Sequence, residues 1–130
     1  MAHEEMVAMM PFAAALGIQI QSAEPTEVRA TMPWAVEHCT TNGIMHGGAI
    51  MAFADSIGAV CAFLNLPEGA STSTIESKTN FFRGVAGGEV HGTTTPLHVG
   101  RTTIVLQTDL RNDEGKRVAL VTQTQAVLNR

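Results

Sequence analysis

Runs of positive charge, cysteine pairs and tyrosine are all missing from this 130-residue chain, and most of these gaps remove a class of function. The 8 Lys and Arg residues are scattered and outnumbered by 12 Asp and Glu, giving a formal net charge of −4. Affinity for nucleic acid rests on clustered basic side chains, so no nucleic-acid partner is expected. Cys39 and Cys61 form no CxxC pair and have no histidine cluster at ligand spacing. That argues against both a disulfide framework and a zinc site, and both residues read as buried thiols in a reducing, cytoplasmic compartment. The first segment, MAHEEMVAMMPFAAALG, places acids before its apolar part and lacks the basic start and cleavage site of a signal peptide. Its apolar stretch is too short and interrupted to span a bilayer, so no membrane partner is expected.

What is present is apolar and evenly spread. A hydrophobic share of 45% against 15% charged residues, with a mean hydropathy of +0.12, is more than a soluble monomer needs and implies surface covered by another copy of the chain. The length suits one domain over residues 1–130, large enough to bury a core without disulfide or metal staples.

Along the chain, residues 4–16 read as an amphipathic helix whose second half must start or kink at Pro11, because proline removes a donor and clashes one turn back. Two alternating runs within residues 17–33 flank Glu24-Pro25-Thr26 and suggest a first hairpin. Residues 35–46 show no period and contain Asn42-Gly43, a strong turn signal. From 47 to 64 there is no proline and one charge, and Ile50, Phe53, Ile57, Val60 and Leu64 recur at 3,4,3,4 spacing, the pattern of a helix. The remainder is β-like over 70–82, 88–99, 101–111 and 117–128, broken by glycines and by Asn112-Asp113-Glu114-Gly115. One apolar helix followed by four closely spaced strands predicts an antiparallel sheet wrapped around that helix, since short connections exclude parallel crossovers.

Asp55 is the residue that does not suit a plain core. It points away from the Ile50, Phe53, Ile57 stripe, yet its side of the helix holds Met51, Ala52, Gly58, Ala59 and Ala62 rather than solvated charges. A covered carboxylate is costly unless hydrogen-bonded or chemically used, and the pattern alone leaves structural and functional roles side by side. Gly47-Gly48 would open the same helix, where unpaired N–H groups and the macrodipole suit a developing oxyanion. A tight turn needing glycine for steric reasons explains the pair equally well. His46, just upstream, could be a base, an orienting group or a satisfied loop residue; orientation is favoured because no Ser or Cys nucleophile motif accompanies it.

The string Asn42-Gly43-Ile44-Met45-His46-Gly47-Gly48, with Asp55 nine residues after the histidine, resembles the PaaI-like and 4-hydroxybenzoyl-CoA-like acyl-CoA thioesterases. The likeness extends in order over roughly residues 11–128, through the strand at 76–82 and Val99-Gly100-Arg101-Thr102. It implies the α+β hotdog fold and hydrolysis of an acyl-CoA without cofactor or metal. It also implies a homodimer or a dimer of dimers, in which one subunit supplies the glycine N–H and its neighbour the acid. By position, Gly47 would polarise the thioester carbonyl, Asp55 would act as nucleophile or general base, His46 would shape the loop, and Thr74, with Ser73 as alternate, would position water. CoA would lie along Gly48, Phe82, Arg83, Gly84, Gly100 and Arg101, with the two arginines on its phosphates; solvated strand-end arginines are the plain alternative.

One departure stands out: the family's usual Asn or Gln six residues before the histidine is Thr40 here, and Asn42 lies two positions on. The departure motivates a rival reading as a non-catalytic acyl-CoA or acyl-carrier binder. A hotdog dehydratase is disfavoured by the His-Gly-Gly context, and a structural dimerisation domain would leave Asp55 as a cap. With no tyrosine, and with Met45, Met51, Phe53, Phe81 and Phe82 near the site, the pocket reads as apolar and adaptable, open to aryl, short-chain or medium-chain acyl groups.

Overall fold

The computed structural model describes residues 1–129. Two short helices, α1 (His3–Ala8) and α2 (Pro11–Ala15), take the place of the single helix expected over 4–16. The break is at Met10, whose extended ψ of 86° lets Pro11 begin α2, the one helical position where a missing N–H is harmless. Strands β1 (Gln19–Glu24) and β2 (Glu27–Pro33) form the hairpin, and a loop leads to the long helix α3 (Gly47–Leu64). Four strands follow: β3 (Ser71–Phe81), β4 (Glu89–Val99), β5 (Thr103–Arg111) and β6 (Arg117–Leu128). All six join in one antiparallel sheet ordered β1-β2-β4-β5-β6-β3, with β1 and β3 at its edges. α3 touches every strand, which is the wrapped arrangement of the hotdog fold.

The expected stripe does the packing. Phe53 and Ile57 are fully buried and Ile50 nearly so, against the inward-facing Val90, Leu106, Leu110 and Val121. Gly92 sets how close helix and sheet come: a Cβ there would lie 2.6 Å from Ile57 Cδ1 and 3.1 Å from Phe53 Cζ. By length and composition α3 could cross a membrane, but its stripe is spent on the sheet. Of the two thiols, Cys61 is buried, which pushes its pKa up to about 11, whereas Cys39 is only half-buried, because its loop lies at the surface.

A bulge between Thr74 and Glu76 decides what β3 shows the helix. Thr72 and Thr74 face inward before it; the extra residue shifts the phase so that Ser77, Thr79 and Phe81 face inward after it, opposite Gln123, Val121 and Ala119 of β6. Unbroken alternation would instead have aimed Glu76 and Lys78 at the core.

On the outer face, Arg111 and Arg117 stand directly opposite each other on β5 and β6, a repulsive pair. Asp109 relieves it by accepting from Arg111 at 2.9 Å and from Arg117 at 3.0 Å. Burial pushes the Asp109 carboxyl up, but the hydrogen bonds and charge of Arg117 and Arg111 outweigh it and hold the carboxyl below its ordinary 3.8. A folded-state value below the unfolded one contributes stability that is present above about pH 3.8 and is lost as pH falls through the folded value. Urea midpoints measured from about pH 6 down to about pH 3 should therefore fall more steeply for the parent than for Asp109→Asn.

Candidate functional site

The loop before α3 is fixed at several points. Asn42 and Gly43 both take left-handed conformations (φ 62° and 69°), which tightens the turn, and the Thr40 N–H donates to the Ile44 carbonyl at 2.8 Å. The Trp34 indole donates to the Gly43 carbonyl at 3.0 Å, the Met45 N–H to the Val85 carbonyl at 2.8 Å, and the His46 N–H to the His38 carbonyl at 2.7 Å. His46 therefore reaches the start of the helix already oriented.

Its imidazole then caps that start. Nδ1 accepts the Gly48 N–H at 2.7 Å, which places the ring proton on Nε2, while the His46 carbonyl accepts from Ala49 at 2.9 Å and Ile50 at 3.3 Å. Of the opening N–H groups, Gly47 alone has no acceptor among the described residues. The two glycines differ in purpose. A Cβ on Gly48 would fall 2.9 Å from His46 Nδ1 and disturb the cap; one on Gly47 would fall 3.1 Å from Phe81 Cζ, whose ring lies against the helix start. The result is one unpaired donor on the positive end of a long helix, with His46 Nδ1 occupied by a backbone N–H rather than available as a base.

Asp55 lies two turns on. Its Oδ1 accepts from Thr74 Oγ1 at 2.9 Å and from Gln123 Nε2 at 3.0 Å. Gln125 Nε2 donates to Thr74 Oγ1 at 2.8 Å, so the single Thr74 proton is directed to the carboxylate, and the Thr72 hydroxyl is shared between the Ala126 carbonyl at 2.8 Å and Gln125 Oε1 at 3.1 Å. Among the described residues no group donates to Oδ2. The surface around Asp55 was expected to be covered; Gly58 and Ala62 are buried, but Asp55, Ala52 and Ala59 are half-buried and Met51 is exposed. Asp55 thus lies where α3 meets β3 and β6, beside a partly open apolar strip of Met51, Ala52 and Ala59.

His46, Gly47 and Gly48 meet at the start of α3, and Thr74 meets Asp55; the remaining candidate residues join neither group. Ser73 is exposed on the opposite phase of β3. Thr40 and Asn42 are exposed and their side chains make no hydrogen bond among the described residues. Phe82, Arg83 and Gly84 follow β3, with Arg83 bonded through its N–H to Val118, whereas Gly100 and Arg101 lie in the β4–β5 turn, where Thr102 pairs with Val127. Since β3 and β5 both run antiparallel to β6, these two groups sit at opposite ends of the sheet, roughly 30 Å apart along the strands. A common phosphate site within one chain is excluded.

Gln123 and Gln125, both about 1% exposed, are the contacts that sequence reasoning missed. Their signal was present: the period-2 pattern of β6 puts two carboxamides on the inward face between Val121 and Val127. Among the described residues no three His, Cys, Asp or Glu side chains converge as metal ligands. Of the clefts, the one of about 630 Å³ lies on the outer face over His91, Asp109 and Arg117, across the sheet from Asp55. A narrower apolar groove of about 170 Å³, between Met6, Met9 and Met10 and the Val60 and Phe63 turns of α3, begins just past Asp55 on the same helix.

The description Thioesterase superfamily matches residues 42–119, from the capped loop through α3 to β6. The chain belongs to this superfamily. A protein of Haemophilus influenzae that carries an esterase name is 35% identical over 116 residues, covering 88% of this chain and 83% of its own length. The proofreading thioesterase EntH of Cronobacter turicensis is 28% identical over 113 residues, covering 87% and 82%. The crystal structure of a Haemophilus influenzae thioesterase superposes with a TM-score of 0.93 at 30% identity, covering 99% of this chain and 92% of that one. Thioester hydrolysis is accordingly this hotdog thioesterase's class of chemistry.

The capping geometry makes a stability prediction. His46→Ala should lower stability by about 1 kcal/mol through loss of the cap, whereas His46→Asp, which keeps an acceptor for the helix start, should lose much less. Urea unfolding of the two variants measures the difference.

Proposed function

We propose that this thioesterase hydrolyses an acyl-CoA to the free acid and CoA, at active sites each built from two copies of the chain. The observation that carries the reading is the separation of the two reactive groups. The unpaired Gly47 N–H and the Asp55 carboxylate ride on one helix, eight residues and about 12 Å apart along its axis, too far to engage one carbonyl. They serve one substrate only if the N–H comes from one copy and the carboxylate from the other. The exposed edge strand β3 offers the means. Antiparallel pairing of two such edges sets the Phe81 end of one, with Gly47 packed on it, beside the Thr74 end of the other. The same pairing brings the Arg83 end of one chain toward the Arg101 end of its partner, which suits phosphate contacts from both.

In that setting the thioester oxygen accepts from Gly47 N–H, and negative charge developing on it is stabilised by the start of α3. Asp55, held through Oδ1, presents Oδ2 to the reaction. Either Oδ2 attacks the carbonyl carbon, the C–S bond breaks, and water hydrolyses the resulting anhydride; or Oδ2 takes a proton from water, which attacks instead. In both cases the sulfur leaves as the CoA thiolate. His46 keeps Gly48 N–H occupied and the loop in place. The Met-lined groove past Asp55 suits the acyl group, because methionine adapts to flexible apolar chains. The second reading, a binder without turnover, draws on Thr40, whose side chain makes no hydrogen bond among the described residues.

Thiol release from a panel of aryl and alkyl acyl-CoAs tests the assignment. Asp55→Asn should lower kcat by orders of magnitude while the protein stays folded. Near-parental turnover by the variant would sink the role of Asp55, and no turnover by the parent on any acyl-CoA would favour the binder. Gly47→Pro removes the proposed donor at a helix position that tolerates proline, and should cost roughly 10²-fold or more in kcat. Mixing the two inactive variants after subunit exchange should restore part of the activity, since a mixed pair regains one intact site. Absence of recovery from a confirmed mixed dimer would place both groups in one chain.

A further inference from the structure

Two locally unfavourable residues meet behind Asp55. Gly58 sits in the middle of α3, where glycine is among the poorer helix formers. Gln123 is a carboxamide buried to about 1% exposure in the hydrophobic core, and its Oε1 has no hydrogen-bond partner among the described residues. Neither choice favours stability: alanine would strengthen the helix, and an unbranched apolar residue would suit the core. Yet they are made for one contact. A Cβ on Gly58 would overlap Gln123, falling 1.8 Å from Oε1 and 2.5 Å from Cδ. Glycine at 58 leaves the room that the Gln123 carboxamide occupies where it reaches Asp55, with Nε2 donating to Oδ1 at 3.0 Å.

Building on the thioesterase reading, we propose that Gln123 is a positioning residue for the reacting carboxylate, and that Gly58 exists to let it through. Thr74 approaches Oδ1 from the exposed edge strand and Gln123 approaches it from the interior. Two donors on the same oxygen, coming from two strands, fix rotation about the carboxylate's Cβ–Cγ bond. They leave Oδ2 without a donor among the described residues, free for the reaction that the proposed function assigns to it. Thr74 alone could follow movements of the edge strand; Gln123, locked in the core, cannot. Neither Gln123 nor Gly58 touches substrate, so their effect falls on the orientation of the reacting group rather than on binding.

Gln123→Met keeps the length and removes the donor, and kcat should fall roughly 10- to 100-fold, the worth of one hydrogen bond to a charged group. KM should change little and the urea midpoint should not fall. Gly58→Ala, which must displace the carboxamide, should lower kcat comparably. In a Gln123→Ala background, where nothing remains to displace, Gly58→Ala should have no further effect on kcat. A folded Gln123→Met or Gly58→Ala with kcat within about twofold of the parent overturns the proposal, as does full additivity of the two changes. If Gln123→Met does not fold, the Gly58→Ala pair of backgrounds decides alone. Asp55→Asn in the same assay separates the two readings: parental activity that survives Asp55→Asn refutes the catalytic assignment itself. Activity abolished by Asp55→Asn but untouched at Gln123 refutes only the positioning role.

Discussion

The closeness with which α3 lies on the sheet governs the rest of the structure. Gly92 on β4 and Gly58 on α3 each remove the one atom that would hold the layers apart, one beneath Ile57 and Phe53, the other above Gln123. At that spacing an interior strand can hydrogen-bond to a side chain of the helix, and the helix carries both of its chemically distinct groups at fixed heights above the sheet. A wider gap would accommodate ordinary β-branched residues at position 92, but it would leave the Asp55 carboxylate with Thr74 as its one anchor. Core packing and site geometry are here the same requirement, met by two glycines whose lack of a side chain serves different neighbours.

The groups on α3 divide labour according to where along the helix they stand. Gly47 is at the end, where backbone donors are unpaired and the peptide dipoles sum; His46 takes one of those donors away and so singles out another. Asp55 is mid-helix, where the dipole has little influence, and owes its orientation to side chains on β3 and β6. The polar chain Thr72, Gln125, Thr74 and Asp55 runs through what is otherwise an aliphatic layer. Ser77 Oγ, Thr79 Oγ1 and Gln123 Oε1 have no hydrogen-bond partner among the described residues. This stretch of the interior is therefore not optimised for stability alone.

Much of the architecture was legible in the sequence because it rests on periodicity. The 47–64 helix, with its 3,4 spacing and single charge, and the clean alternation from Thr103 to Leu110 needed no tertiary information. Pro11 marked the break between α1 and α2: of the two alternatives, a start or a kink, the chain takes the start. The β3 bulge was invisible, since Thr74, Ile75 and Glu76 include no glycine and the shift is dictated by what must face α3. Within one chain Arg83 and Arg101 lie at opposite ends of the sheet, a separation set by strand order, which is not encoded locally. The spacing of His46, Gly47 and Asp55 is local and readable; the alternation of β6 turns Gln123 inward, but its partner, 68 residues away, is not encoded in that strand.

Gly47 and Asp55 are mounted on a single rigid rod, so under the proposed pairing each copy of α3 would contribute to two different active sites, one at each end of that span. A tilt or axial slip of one helix would move the donor of one site and the acid of the other by the same displacement. The two sites of such a pair would be mechanically geared: neither could be tuned by motion of the helix without retuning its twin.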